Sequence, residues 1–322
     1  MMNRLPQLLG TLLVYFALVT GAWSQGPEGG RFLYSGDGQL KLSSAKNGIS
    51  FEGHYRTESG QYDPQALETI CRLFEAPCKP EMGLSLRLIE FIDYLQDRMR
   101  PGARVVIVSG YRNPEYNEML NNRGNLAAKG SLHQYGMAAD LSIEGVSARR
   151  IWNYVRKLKF GGAGYYQGTN VHVDVGPARF WDEKTSGVGT GISDDNKLIG
   201  LITDFDRYRA GETIVLRFIR MTAFPVGVAR KFYLESENGS GKEEIADPPL
   251  ATFEPVFPVT TEEACPKFGD IAQMAFIRAG LPAHLPAGRY IVRATFCENP
   301  WKEMPQEVIT PAFEVVQPQV PQ

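Results

Sequence analysis

The chain is 322 residues long, 43% hydrophobic and 22% charged, with a formal net charge of −2. That length exceeds a typical single domain and predicts two, of ordinary globular composition. There is no basic footprint of the kind nucleic-acid binding needs, so no nucleic-acid partner is expected.

Residues 1–25 read as a secretory signal peptide. Arg4 supplies the positive start, Leu8 to Val19 the apolar run, and Ala22-Trp23-Ser24 a small-residue cleavage site before Gln25. The apolar run is short for a span, which needs about 20 residues, so cleavage is expected and no stable membrane span after it. The absence of a twin-arginine pair and of a cysteine near the cut favours a Sec-type route to the periplasm or beyond. Export makes the four cysteines readable as disulfides. Proximity pairs Cys71 with Cys78 and Cys265 with Cys297.

Residues 31–55 alternate apolar and polar and carry Gly-Asp-Gly and Lys-Asn-Gly turn signals, which predicts a hairpin. Residues 64–74 and 84–99 read as helices. In the second, Leu84, Leu88, Phe91, Ile92 and Leu95 form one apolar stripe, ended by Pro101-Gly102. Val105 to Val108 is a buried strand that delivers Ser109-Gly110-Tyr111-Arg112. A helix is expected over 115–122, a polar loop over 121–130, and a helix over 147–159 with Ser147 as its cap. Thr185 to Asn196, rich in Gly, Ser, Thr and Asp, reads as a linker. Beyond it, short strands are expected over 213–221, 230–236, 270–276, 288–296 and 308–316. The turn signals Glu237-Asn238-Gly239-Ser240-Gly241 and Pro286-Ala287-Gly288 fall between them. That spacing predicts an immunoglobulin-like β-sandwich.

The chemistry is concentrated between Val105 and Trp181. Only four histidines occur, at 54, 133, 172 and 284, and two lie in this stretch. His133 and Asp140 are separated by the run Gln134-Tyr135-Gly136-Met137-Ala138-Ala139, in which Gly136 permits a sharp turn. Val171-His172-Val173-Asp174-Val175 alternates, so His172 and Asp174 project from one face of a strand. Two imidazoles and a carboxylate are the protein ligands of an open zinc site. Singly, a satisfied histidine beside a turn explains each fragment as well.

Taken together, Ser-Gly-Tyr-Arg at 109–112, Ser-Leu-His-x-x-Gly-x-Ala-x-Asp at 131–140, Gly-Gly-x-Gly-Tyr-Tyr at 161–166 and Val-His-Val-Asp-Val-Gly-Pro at 171–177 are more specific. They resemble the M15-type zinc peptidases of bacterial cell walls, in the murein-endopeptidase branch (the domain of unknown function 882 type). The resemblance covers roughly residues 31–181. It implies that His133, Asp140 and His172 hold zinc and that Arg112 binds substrate or the developing oxyanion. One position departs from the pattern. Carboxypeptidase relatives carry an acid three residues before the last histidine ligand, and here that residue is Thr169. Asp174 is then the expected general base. The alternative is that Asp174 only orients His172 and Glu144 supplies the base. Tyr111 is a candidate for stacking or hydrogen bonding near the site, or for plain packing. Ser131 is a candidate to brace a ligand, or simply to cap a turn.

The expected organisation is a signal peptide (1–25), an α+β zinc-peptidase domain with a small antiparallel sheet (26–184), a linker (185–196) and an all-β immunoglobulin-like sandwich (197–322). The expected function is an exported zinc peptidase that cuts peptide cross-links of peptidoglycan. Two alternatives stay open: a carboxypeptidase trimming a terminal D-amino acid from stem peptides, with Arg112 reading the free carboxylate, and a non-catalytic wall-binding protein that retains zinc.

Overall fold

The computed structural model describes residues 30–78, 83–123, 127–237, 250–258, 263–274 and 277–316; the expected signal segment and residues 238–241 of one turn lie outside them. No helix among the described residues is long and apolar enough to cross a membrane.

In the N-terminal region, β1 (Gln39–Ser44) and β2 (Ser50–His54) form the expected hairpin. Its turn closes through the Asn47 side chain, which accepts the Ile49 N–H at 3.0 Å. Helix α1 (Pro64–Leu73) starts where the Asp63 carboxylate accepts the N–H groups of Gln65 and Ala66, with proline at the first helical position. Helix α2 (Leu86–Met99) buries the predicted stripe, with Leu88, Phe91, Ile92 and Leu95 all within 1% of full burial. Each such side chain contributes about 1.5–3 kcal/mol. Strand β3 (Val105–Ser109), helix α3 (Pro114–Asn122), strand β4 (Ala138–Ile143), helix α4 (Ala148–Leu158), and strands β5 (Gly162–Tyr165), β6 (Val171–Asp174) and β7 (Arg179–Asp182) complete the region. The Ser147 hydroxyl caps α4 by accepting the Arg150 N–H.

The sheet is larger than the small antiparallel one expected. It has seven strands in the order β2-β1-β3-β4-β6-β5-β7, and two of its pairings, β1 with β3 and β5 with β7, are parallel. A parallel partner needs a crossover. The α1–α2 segment supplies it for β3, which is why the hairpin joins the main sheet instead of standing apart.

The C-terminal region is β-rich, with several sheets. Strands β8 (Gly200–Thr203), β9 (Arg207–Arg209) and β10 (Thr213–Ile219) follow the turns at 185–199. β10 pairs with β8 and with Ile277–Gly280 in one sheet. A second sheet is built on the long strand Gly288–Glu298. The strand expected at 270–276 is displaced: Ala272–Met274 is a 3-10 turn and the strand begins at Ile277. The one expected at 308–316 is two short strands, Glu307–Ile309 and Phe313–Val316, broken at Pro311, which has no N–H to give a ladder. The Cys265–Cys297 bridge is present. The expected Cys71–Cys78 bridge is not formed. Both are free thiols, and burial together with the neighbouring Cys78 pushes the Cys71 thiol up to about 12.

The two regions are locked together. Asp206 accepts the Leu33 N–H at 3.0 Å and pairs with buried Arg87 of α2 at 2.9 Å. Arg31 pairs with Glu212 at 2.6 Å. A second lock reaches the 3-10 turn Leu132–Tyr135: Arg217 of β10 donates to the Tyr135 carbonyl at 3.1 Å, and the Met221 N–H donates to the Tyr135 phenol oxygen at 3.0 Å. The same turn carries His133. Tyr135→Phe leaves the Met221 N–H without its acceptor in a buried setting and is expected to destabilise the protein by about 1–3 kcal/mol, read by thermal or denaturant unfolding. An unchanged midpoint would show that water takes the place of the phenol.

Candidate metal centre

The register of the sheet builds the site. Ser109 of β3 stands opposite Asp140 of β4, Asp140 opposite His172 of β6, His172 opposite Gly164 of β5, and Gly164 opposite Trp181 of β7. Directly paired residues share a face, so this row is one line of side chains across five strands. Two residues along each strand, on the same face, runs a second row: Ala138, Asp174, Gly162 and Arg179. The glycines in these rows make room. A Cβ at Gly162 would overlap the Asp174 carboxylate, and one at Gly164 would lie 2.5 Å from the Trp181 ring.

His133 comes to the row from the preceding 3-10 turn, which ends at Gly136 in the left-handed region with φ 62°. The Gly110 carbonyl, 2.6 Å from Nδ1, accepts that N–H and leaves Nε2 as the lone-pair nitrogen. Nε2 of His133, Nδ1 of His172 and Oδ1 of Asp140 then converge. Their separations are 3.2 Å between the histidines, 3.1 Å from His172 to Asp140 and 3.5 Å from His133 to Asp140. Three ligands of a tetrahedral ion at about 2.0–2.2 Å stand roughly 3.3–3.6 Å from one another. Donor set and spacing therefore fit zinc, with one position left open. The electrostatics agree with a carboxylate built to stay ionised. Burial works against its charge, but His133 and His172 hold Asp140 well below the usual carboxylate range. A second group, Asp37, Asp93 and Asp97, offers only carboxylate oxygens, a set suited to harder cations than zinc.

Arg112 lies in the site, but on a ligand. Its Nη2 donates to Asp140 Oδ2 at 2.7 Å and its Nε to the Ser109 hydroxyl at 3.1 Å. It steers the Asp140 carboxylate so that Oδ1 faces the histidines. Asp174 shares the strand face with His172, as the alternation predicts, yet it sits behind the imidazole. Its Oδ2 lies 3.2 Å from Nε2, the ring nitrogen turned away from the cluster, and its Oδ1 accepts the Gly176 N–H at 3.0 Å. Arg179 donates to Oδ2 at 3.3 Å, and the residue is 0% exposed. A carboxylate so enclosed, across the ring from the ligand nitrogen, has the geometry of a group that orients a ligand rather than of a base. Glu144 is no substitute. It follows the far end of β4, about 13 Å along the strand from Asp140, with its N–H on Arg104 and its carbonyl on Arg100.

The remaining expectations divide. Tyr111 is half-buried and packs against the core; its N–H goes to the Phe74 carbonyl. Ser131 precedes the His133 turn but makes no side-chain cap. Tyr166 belongs to the Gly-Gly-x-Gly-Tyr-Tyr motif, whereas two other residues at the site, Trp181 and Arg179, were given no role by their sequence. The Trp181 ring lies 5.0 Å from that of His172, its indole N–H donates to the Tyr166 hydroxyl at 2.8 Å, and the Arg179 guanidinium rests 4.2 Å from its centroid. The glycine opposite Trp181 was the available signal, since a strand glycine marks close approach.

Residues 35–181 match the family model described as Peptidase_M15_2, peptidoglycan L,D-endopeptidase MepK. Among curated proteins, the peptidoglycan L,D-endopeptidase MepK of Escherichia coli (strain K12) is 42% identical over 78 residues, 24% of this chain and 43% of the relative. The probable peptidoglycan L,D-endopeptidase MepK of Haemophilus influenzae is 38% identical over 80 residues, again 24% of this chain and 43% of the relative. The chain thus spans less than half the length of the curated relatives it matches.

Proposed function

We propose, from the membership of residues 35–181 in the Peptidase_M15_2 family, that this chain is a zinc-dependent endopeptidase acting on the peptide cross-links of peptidoglycan outside the cytoplasm. The observation that carries the reading is the convergence of His133 Nε2, His172 Nδ1 and Asp140 Oδ1 on one point. His133, Asp140 and His172 would hold the zinc, which would supply polarisation of a carbonyl and a water of pKa about 7. The chain's own groups prepare that site. Gly110 sets the His133 tautomer, Arg112 aims the Asp140 carboxylate, and Asp174 takes the His172 Nε2–H and fixes the ring. The Tyr166 phenol, accepting from Trp181, keeps its own proton for donation. We read 26–184 as the peptidase domain and 197–322 as an immunoglobulin-like sandwich whose β10 braces the His133 turn. The Cys265–Cys297 bridge supports an oxidising compartment.

Engagement of Arg112 with Asp140 and Ser109 leaves that arginine uncommitted to a terminal carboxylate, the role that the carboxypeptidase alternative gave it. The test is digestion of purified sacculi by the zinc-loaded protein, with products separated by mass. Conversion of cross-linked dimers to monomers is expected. Loss of single terminal residues would support the carboxypeptidase, and unchanged muropeptides with retained binding would support the non-catalytic reading.

A further inference from the structure

Arg220 lies outside the matched residues, 48 positions after His172 in the chain. It follows β10, and its backbone turns through the left-handed region with φ 59°. Residues other than glycine hold that conformation only when their surroundings enforce it, and such positions gather at functional sites. Here the enforcing contacts are the Met221 N–H on Tyr135 and the close passage over Gly130, where an added Cβ would lie 3.3 Å from Arg220 Cβ. The side chain thereby crosses from the C-terminal region to the β6–β7 turn. An added Cβ at Gly176 would stand 3.6 Å from Arg220 Nη2 and 3.2 Å from Asp174 Oδ1.

Two guanidiniums, Arg179 and Arg220, therefore flank a single carboxylate, Asp174, leaving one positive charge in excess. Asp174 already accepts three hydrogen bonds, and neither Nε nor Nη2 of Arg220 makes one to it. Its Oδ1 is taken by the Gly176 N–H, and its Oδ2 by His172 and Arg179. Nε of Arg179 and both Nε and Nη2 of Arg220 are buried without a hydrogen-bond acceptor. Orphaned donors of this kind are rare and call for a missing partner. Burial and the neighbouring Arg179 push the Arg220 guanidinium down to about 10, which still leaves it charged at neutral pH. Arg112, the other arginine of the site, is committed to Asp140 and Ser109.

We infer that Arg220, delivered by the C-terminal region, forms with Arg179 a carboxylate-binding subsite beside the candidate metal centre, reading a free carboxylate of the peptide that flanks the bond to be cut. A planar guanidinium fork matches a carboxylate's two oxygens, whereas a lysine would offer only a point charge. The inference rests on the peptidase reading for the identity of its ligand, and it makes the second region part of substrate recognition instead of a passive appendage.

The test compares a stem tetrapeptide bearing a free C-terminal carboxylate with its C-terminal amide, by calorimetric titration of the full-length protein. It is paired with kcat/KM on cross-linked muropeptides whose free carboxylates are intact or amidated. The wild type is expected to prefer the acid by about 10–100-fold, the range for a hydrogen bond to a charged group. Arg220→Gln is expected to bring that preference to parity, and Arg220→Lys to retain part of it. Unfolding midpoints and zinc content establish that both variants are folded. If Arg220→Gln does not fold, the comparison of Arg220→Lys with wild type decides, because a fork and a point charge differ in acid preference only if the carboxylate is bound here. No preference in the wild type, or an undiminished preference in the variants, overturns the inference; a buried water on the orphaned donors gives the first of these results. Failure of the wild type to cleave either substrate sinks the peptidase reading, while the titration still decides Arg220.

Discussion

His172→Ala is expected to give a folded protein that retains no zinc and has lost cleavage by about 10³-fold or more. The metal supplies several kcal/mol of transition-state stabilisation, and each 1.4 kcal/mol or so is tenfold in rate. The substitution removes one of three converging donors, leaving His133 Nε2 and Asp140 Oδ1 3.5 Å apart with no third ligand. The fold should survive, because Asp174 behind the ring keeps its bonds to Gly176 and Arg179. Zinc content by elemental analysis, measured with muropeptide turnover and an unfolding curve, checks all three parts. Full zinc occupancy in the folded variant would remove His172 from the ligand set.

Asp174→Asn is expected to weaken zinc affinity by about 10–100-fold, the usual cost of losing a group that orients a ligand. Most of the lost turnover should return at saturating zinc. The reasoning is positional. Asp174 meets the ring at Nε2, while Nδ1 faces Asp140 and His133. The competing role, a general base, predicts the opposite pattern: unchanged zinc affinity and a loss of about 10²–10⁴-fold that added zinc does not repair. Zinc titration against a chromophoric chelator, followed by kinetics across zinc concentrations, separates the two.

Much of the centre was legible because it obeys the two-residue period of a strand. His172 and Asp174 do share a face, as the alternation of residues 171–175 predicts. Alternation does not say which imidazole nitrogen meets which neighbour, so the shared face alone suggested a base, whereas the contact of Asp174 with Nε2 is the ground for the orienting role tested above. Arg112 was placed in the site by its motif, but its partner depends on Ser109 and Asp140 standing opposite each other across β3 and β4, which the motif does not encode. Trp181 joins the row only through the parallel pairing of β5 and β7, a long-range contact with no local signature. Arg220 was the least accessible, since it arrives from another sheet through a left-handed corner that a non-glycine residue gives no reason to expect. Among the strands of the C-terminal region, those rich in β-branched and aromatic residues and free of proline, such as Thr213–Ile219 and Gly288–Glu298, were legible, whereas the break at Pro311 and the 3-10 turn at Ala272–Met274 were not.

The metal centre is tested most directly by anomalous diffraction at the zinc edge from crystals of the zinc-loaded protein. The expected result is one peak within about 2.0–2.2 Å of His133 Nε2, His172 Nδ1 and an Asp140 oxygen. A peak bound instead through His172 Nε2, with Asp174 turned in as a ligand, or one lying only at Asp37, Asp93 and Asp97 or at Cys71 and Cys78, would contradict it.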